Sequence, residues 1–273
     1  MNPPEAPDDD RLVEEIYDAL DAGKPERALA SARIALHRAP SDPVLHFLAG
    51  VALLDLGQPD EAAAFLARAA ELDPDDAEFR AVHAQALFAT CAFENAATEA
   101  RAALAADPHA AEASRVLAMI LERDGLAEAA DARYREAATI DPERFPMPVR
   151  MTRADFEAAV VRAGTMLPEE FREKLDEVPV VVEDVPSGPL LFEETPPLDP
   201  ELLGLFVGTA LTERTFAVPG VAAPPRILLF QRNLERFARN RAELEREIAR
   251  TLHHELAHYL GFEEDAMEDL DLD

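Results

Sequence analysis

Cysteine, lysine and long apolar runs are scarce in this sequence, and each shortage excludes something. A single cysteine, Cys91, rules out an intrachain disulfide and suits a reducing compartment. No apolar run approaches the roughly 18 residues needed to cross a bilayer, so no membrane-spanning segment is expected. The opening MNPPEAPDDD is acidic and proline-rich, without a basic or an apolar stretch, so no signal peptide is expected and a cytoplasmic location is the default. The only lysines are Lys24 and Lys174, and 26 basic residues face 55 acidic ones, for a formal net charge of −29. Such a field repels phosphate backbones and anionic headgroups, which argues against nucleic acid and membranes as partners and favours capture of cations. Hydrophobic residues still make up 48% of the 273, enough for two domains with cores of their own.

Internal repeats organise the first half. Prolines recur at Pro40, Pro74, Pro108 and Pro142, one every 34 residues. Alanines hold the same register at Ala28, Ala62, Ala96 and Ala130, and again at Ala35, Ala69, Ala103 and Ala137. Gly23, Gly57 and Gly125 form a further column, with Cys91 in the place of the missing glycine. Each unit reads as two helices and a tight turn. The glycine ends the first helix, the alanines let helices approach closely, and the proline closes the second helix. With this spacing and these columns, residues 9–144 resemble the tetratricopeptide repeat family, which implies an all-α solenoid of four helix pairs with a protein or peptide partner in its concave groove. The family's geometry turns Tyr17, Phe47, Val51, Leu54, Phe88 and Met119 towards that groove, where they would suit an apolar or amphipathic segment.

Residues 1–8 read as a disordered leader and 145–150 as a proline-broken linker. Beyond it, Thr152 and Asp155 form a capping pair that opens a helix. A second short helix is expected over 168–175, and a buried β-branched strand over 178–182. Residues 202–208 read as either strand or turn. Another strand, over 226–231, is a candidate for pairing with an extended substrate, and a long helix follows over 242–260. The whole is α+β, with the repeats ahead of a small α+β domain over 151–265 and an acidic tail over 266–273.

The chemistry sits on the last helix. His254 and His258 are four residues apart, so one turn brings both imidazoles to a single metal ion. Glu255 stands beside the first and can serve as general base. Leu244, Ile248, Leu252 and Leu256 form the stripe that this helix would bury, leaving the histidines on another face. Gly261 ends the helix, and a carboxylate third ligand is available at Glu264 or Asp265. His253 reads as an exposed neighbour. Tyr259 lies round the helix from both histidines.

Taken together, Met151-Thr152-Arg153-Ala154-Asp155-Phe156, Leu203-Gly204-Leu205-Phe206-x-Gly208, Arg226-Ile227-Leu228-Leu229-Phe230 and the closing His-Glu-x-x-His-x-x-Gly-x-x-Glu resemble the short bacterial zincin-like metallopeptidases. The resemblance implies one zinc per chain on His254, His258 and Glu264, with Glu255 as base, and peptide-bond hydrolysis by zinc-activated water. Glu264 occupies the position where metzincins carry a third histidine. The competing expectation is a non-catalytic adaptor whose zinc site is structural or vestigial.

Overall fold

The computed structural model describes residues 9–211 and 224–262, which fall into two compact units divided after Pro146. In the first unit, eight helices form four antiparallel pairs: α1 (Asp9–Asp21) with α2 (Pro25–Arg38), α3 (Pro43–Asp55) with α4 (Pro59–Leu72), α5 (Ala77–Ala89) with α6 (Phe93–Ala106), and α7 (Ala111–Arg123) with α8 (Ala127–Ile140). Each helix packs on the one before and the one after it, the pattern of a solenoid.

The sequence columns explain the stacking. Ala28, Ala62, Ala96 and Ala130 are all fully buried, because only a methyl fits where adjacent helix backbones meet. The glycine column is left-handed throughout, with φ of 63°, 67° and 73° at Gly23, Gly57 and Gly125. Cys91 adopts φ 61° in the same place, and it is the one described non-glycine residue with positive φ. The turn geometry therefore overrides the cost of a Cβ there. Aspartates cap two of the first helices: Asp42 accepts from the Val44 and Leu45 amides, and Asp76 from Glu78 and Phe79.

The groove expected from the sequence is only partly available. Phe47, Phe88 and Met119 are buried at 6%, 2% and 1% exposure, and their side chains pack between helices. The thin alanine-rich second helices leave volume in the core that these larger side chains fill. Tyr17 is exposed, and Val51 and Leu54 are half-buried.

The second unit is α+β. It runs α9 (Arg153–Met166), α10 (Glu169–Leu175), β1 (Val180–Glu183), α11 (Gly188–Leu191), β2 (Gly204–Val207), β3 (Arg226–Phe230), α12 (Gln231–Phe237) and α13 (Arg241–Leu260). The sheet order is β1-β3-β2, with β1 parallel and β2 antiparallel to β3. Two strand expectations need correcting. Among the described residues the stretch around Val180 is an edge strand with Val181 exposed, because only its β3 side is paired there. The 226–230 strand is central and both its edges are hydrogen-bonded, so it cannot add a substrate.

Helix α13 underlies this unit. Leu244, Ile248, Leu252 and Leu256 are at most 1% exposed and share a core with Phe156 of α9 and Ile227 and Leu229 of β3. The expected linker is consumed at both ends. Phe145 packs with Ala111 and Ala137 in the first unit, and the Val149 amide donates to the Glu235 carbonyl in the second.

Glu235, fully buried on α12, ties the entry of the second unit together. Its carboxylate accepts from Arg150 Nη1 at 2.8 Å, Arg232 Nη1 at 2.9 Å, Gln231 Nε2 at 2.8 Å and the Met151 amide at 3.0 Å. Removing the acid takes this acceptor from Arg150, Arg232 and the buried Met151 amide, a change that costs about 3 kcal/mol or more. Glu235→Ala should therefore expose α9 and α12 amides to hydrogen exchange about a hundredfold faster. Unchanged protection of those two helices would show that the carboxylate does not hold them.

Candidate metal centre

The site is built on α13 by three local devices. Asn240 caps its start, with the side chain accepting from the Glu243 amide at 3.0 Å. Gly261 ends it at φ 88°, in the left-handed region, with its amide on the His258 carbonyl and the Phe262 amide on the Ala257 carbonyl. Between them, the buried leucine stripe fixes how the helix is rotated.

That rotation brings His254 and His258 together on a half-buried face. Their Nε2 atoms are 3.1 Å apart, with the rings edge to face at 85°. Two nitrogen ligands of a tetrahedral zinc, each about 2.05 Å from the metal, stand about 3.3 Å apart. The pair thus fits one shared ion within a few tenths of an ångström. Among the described residues no set of three or more His, Cys, Asp or Glu groups is poised to hold a metal. Glu264 and Asp265, the third-ligand candidates, lie outside the described residues.

Glu255 is buried at 7% exposure, and its Oε2 accepts from the Phe206 amide of β2 at 2.6 Å. In the β2–β3 register, Leu203 pairs with Phe230 through the Phe230 amide. Leu205 and Val207 therefore point their amides and carbonyls at β3, while Gly204 and Phe206 point theirs away from it. The base is anchored to this outward edge. The sequence left residues 202–208 undecided between strand and turn, and so gave no sign of the contact.

The close approach requires Gly204. A Cβ there would lie 2.6 Å from Thr251 Cγ2, 3.0 Å from Glu255 Cγ and 3.2 Å from Glu255 Oε1. Around this crossing lies a cleft of about 350 Å³, with Gly204, Phe237, Glu247, Arg250, Thr251, His254 and Glu255 in its walls. A larger hollow of about 450 Å³ between α9, α10 and β1 has five valines in its walls and reaches neither imidazole. The smaller cleft holds His254 and Glu255, and chemistry outweighs size here.

The neighbours on α13 serve the fold. His253, expected to be exposed, is half-buried with a ring nitrogen 3.3 Å from the Ala163 carbonyl, and burial holds its pKa below the usual histidine value. It sits on the α9 side because its position faces 100° away from His254. Tyr259 is fully buried, with its hydroxyl on Glu177 at 3.3 Å and its ring 5.7 Å from that of Phe206.

Gly204→Ala should destabilise this unit by about 1–3 kcal/mol, since the methyl overpacks the strand–helix crossing. Adding Thr251→Ala removes the nearest methyl and should restore part of the loss. Thermal unfolding of the two variants checks this, and a Gly204→Ala chain as stable as the parent would refute the steric account.

Comparison with known proteins agrees with both halves. Residues 13–77 and 82–144 match the tetratricopeptide repeat family, and residues 175–273 match the zincin-like metallopeptidase family. No curated protein matches the chain. Among solved structures, "Crystal structure of MamA protein" is 17% identical over 61% of this chain and 85% of its own, with a TM-score of 0.43. "MamA MSR-1 C2" is 20% identical over 52% and 82%, with a TM-score of 0.42. The chain therefore carries tetratricopeptide repeats in its N-terminal half and a zincin-like metallopeptidase domain in its C-terminal part.

Proposed function

We propose that the C-terminal domain is a zinc-dependent peptidase, and that the repeats bind its substrate or a protein partner. The observation that carries this reading is the convergence of the His254 and His258 Nε2 atoms at 3.1 Å beside a carboxylate held under a strand edge. His254, His258 and a carboxylate from Glu264 or Asp265 would hold the metal. Zinc, when bound, supplies Lewis acidity to a substrate carbonyl and makes water easier to deprotonate.

The chain's own groups do the rest. Glu255 is the base: it takes a proton from water and passes it to the leaving amine. Its bond from the Phe206 amide keeps the carboxylate in one orientation between these steps. An extended peptide adds antiparallel to β2, where the Gly204 backbone groups and the Phe206 carbonyl face away from β3, the Phe206 amide being kept by Glu255, and where no side chain at Gly204 obstructs the approach. Half-burial of both histidines lowers the local dielectric, which strengthens every polar contact made there.

The repeats are of a kind that holds protein segments. Tyr17, Val51 and Leu54 remain accessible for this.

Ligand and base separate under mutation. His258→Ala should abolish stoichiometric zinc in metal analysis of the purified chain. Glu255→Gln should keep one equivalent of zinc and lose hydrolysis of a peptide library. If Glu255→Gln loses the metal, Glu255 is a ligand and its role as base falls.

The third ligand is decided by paired zinc titrations. Gly261 ends the helix in the left-handed region, and the side chain of Glu264 is one methylene longer than that of Asp265. Glu264→Ala should weaken zinc binding more than about tenfold, and Asp265→Ala less. The reverse order moves the ligand to Asp265.

A further inference from the structure

We propose that the cleft between β2 and α13 selects peptides with a carboxylate on the C-terminal side of the bond to be cut, and that Arg250 holds that carboxylate. The inference rests on the peptidase reading above and adds its substrate class.

Direction comes first. Gly204 lies over Thr251 and Glu255, while Phe206 lies over Glu255 and Tyr259. Strand β2 and helix α13 therefore run the same way. A peptide antiparallel to β2 must run from the Tyr259 end towards the Thr251 end. Its residues beyond the scissile bond thus approach Arg250, which lines the cleft together with Leu202, Leu203 and Gly204 at the start of β2.

Distance fixes the position. Arg250, His254 and His258 stand at i, i+4 and i+8, on one stripe of α13. One turn, about 5.4 Å, separates Arg250 from the first imidazole, and helical side chains lean further towards the N-terminus. An extended peptide advances about 3.4 Å per residue. The group facing Arg250 therefore belongs to about the second residue after the cut.

Charge supplies the selectivity. Arg250 is exposed and, among the described residues, has no hydrogen-bond or ion-pair partner. Arg236 pairs with Glu201, both Arg162 and Arg241 pair with Glu245, and Arg246, one turn before Arg250, does not line the cleft. Among the described residues, Arg250 is the one guanidinium in the cleft wall, and its planar fork matches a carboxylate. Glu247, three residues earlier on the same face, would repel a carboxylate that overshoots by a turn. The carboxylate is either the free C-terminus of the substrate or an aspartate or glutamate side chain, and both offer the same acceptor.

Binding and cleavage are tested separately on the full chain. With metal removed by a chelator there is no hydrolysis, so fluorescence anisotropy reads binding of labelled peptides alike except at one residue. That residue is alanine amide, alanine with a free C-terminal carboxylate, or aspartate amide. The parent chain should bind one or both carboxylate peptides about tenfold to a hundredfold tighter than the alanine amide. Whichever gains identifies the source. Arg250→Gln should erase the difference, and Arg250→Lys, which keeps the charge but not the fork, should keep part of it. Equal binding of all three peptides, or a preference that survives Arg250→Gln, overturns the proposal. Zinc-loaded chain is then given the same peptides and a random library. A preference that depends on Arg250 without any cleavage sustains carboxylate recognition and removes the peptidase reading. Cleavage indifferent to the carboxylate does the reverse.

Discussion

A carboxylate can be kept directly beneath an edge strand only where that strand carries no side chain to push it away. Gly204 meets this condition, with a hypothetical Cβ only 2.6 Å from Thr251 and 3.0 Å from Glu255. Because β2 settles onto α13 there, the Phe206 amide reaches the Glu255 carboxylate at 2.6 Å, on the helix that also carries the paired imidazoles. A buried carboxylate without such a donor would be costly to keep charged. The same contact therefore offsets the desolvation of the base and fixes β2 against the helix that carries it.

The rotation of α13 is the other half of the geometry, and it was written in the sequence. Leu244, Ile248, Leu252 and Leu256 recur every four residues, so burial of that stripe leaves His254 and His258 on a different face. The repeats were legible for a similar reason: columns at a 34-residue period survive substitution of single members, and Cys91 keeps the left-handed turn of the glycines it replaces. Regular periods are read easily because many residues report the same constraint.

What could not be read depends on single contacts between distant segments. Nothing local distinguishes a four-residue strand with glycine at its start from a turn, and β2 acquires its form from β3 and from α13. Val180 to Val182 look like a buried strand, yet burial depends on having neighbours on both sides, and among the described residues β1 has one. Phe47, Phe88 and Met119 fall at groove positions by repeat geometry. In a scaffold this rich in alanine they are drawn into the core instead, since little else there fills the space. The buried salt-bridged hub at Glu235 joins residues 85 positions apart in the chain, and neither end announces the other.

The charge of the whole chain and the charge of the cleft act over different distances. A formal net charge of −29 raises the local concentration of cations and turns away polyanions. At physiological ionic strength, however, exposed charges more than about 8 Å apart are largely screened from one another. Inside the cleft the relevant groups are those within one or two turns of the imidazoles: Glu247 and Glu255 on one side of the balance and Arg250 on the other. A divalent ion shared by His254, His258 and a carboxylate ligand would bring that balance to neutral. Acidic groups spread over the surface thus favour metal capture from solution, while the wall of the cleft remains able to receive a carboxylate. An acidic protein with an arginine in its cleft is consistent on electrostatic grounds because screening separates the two scales.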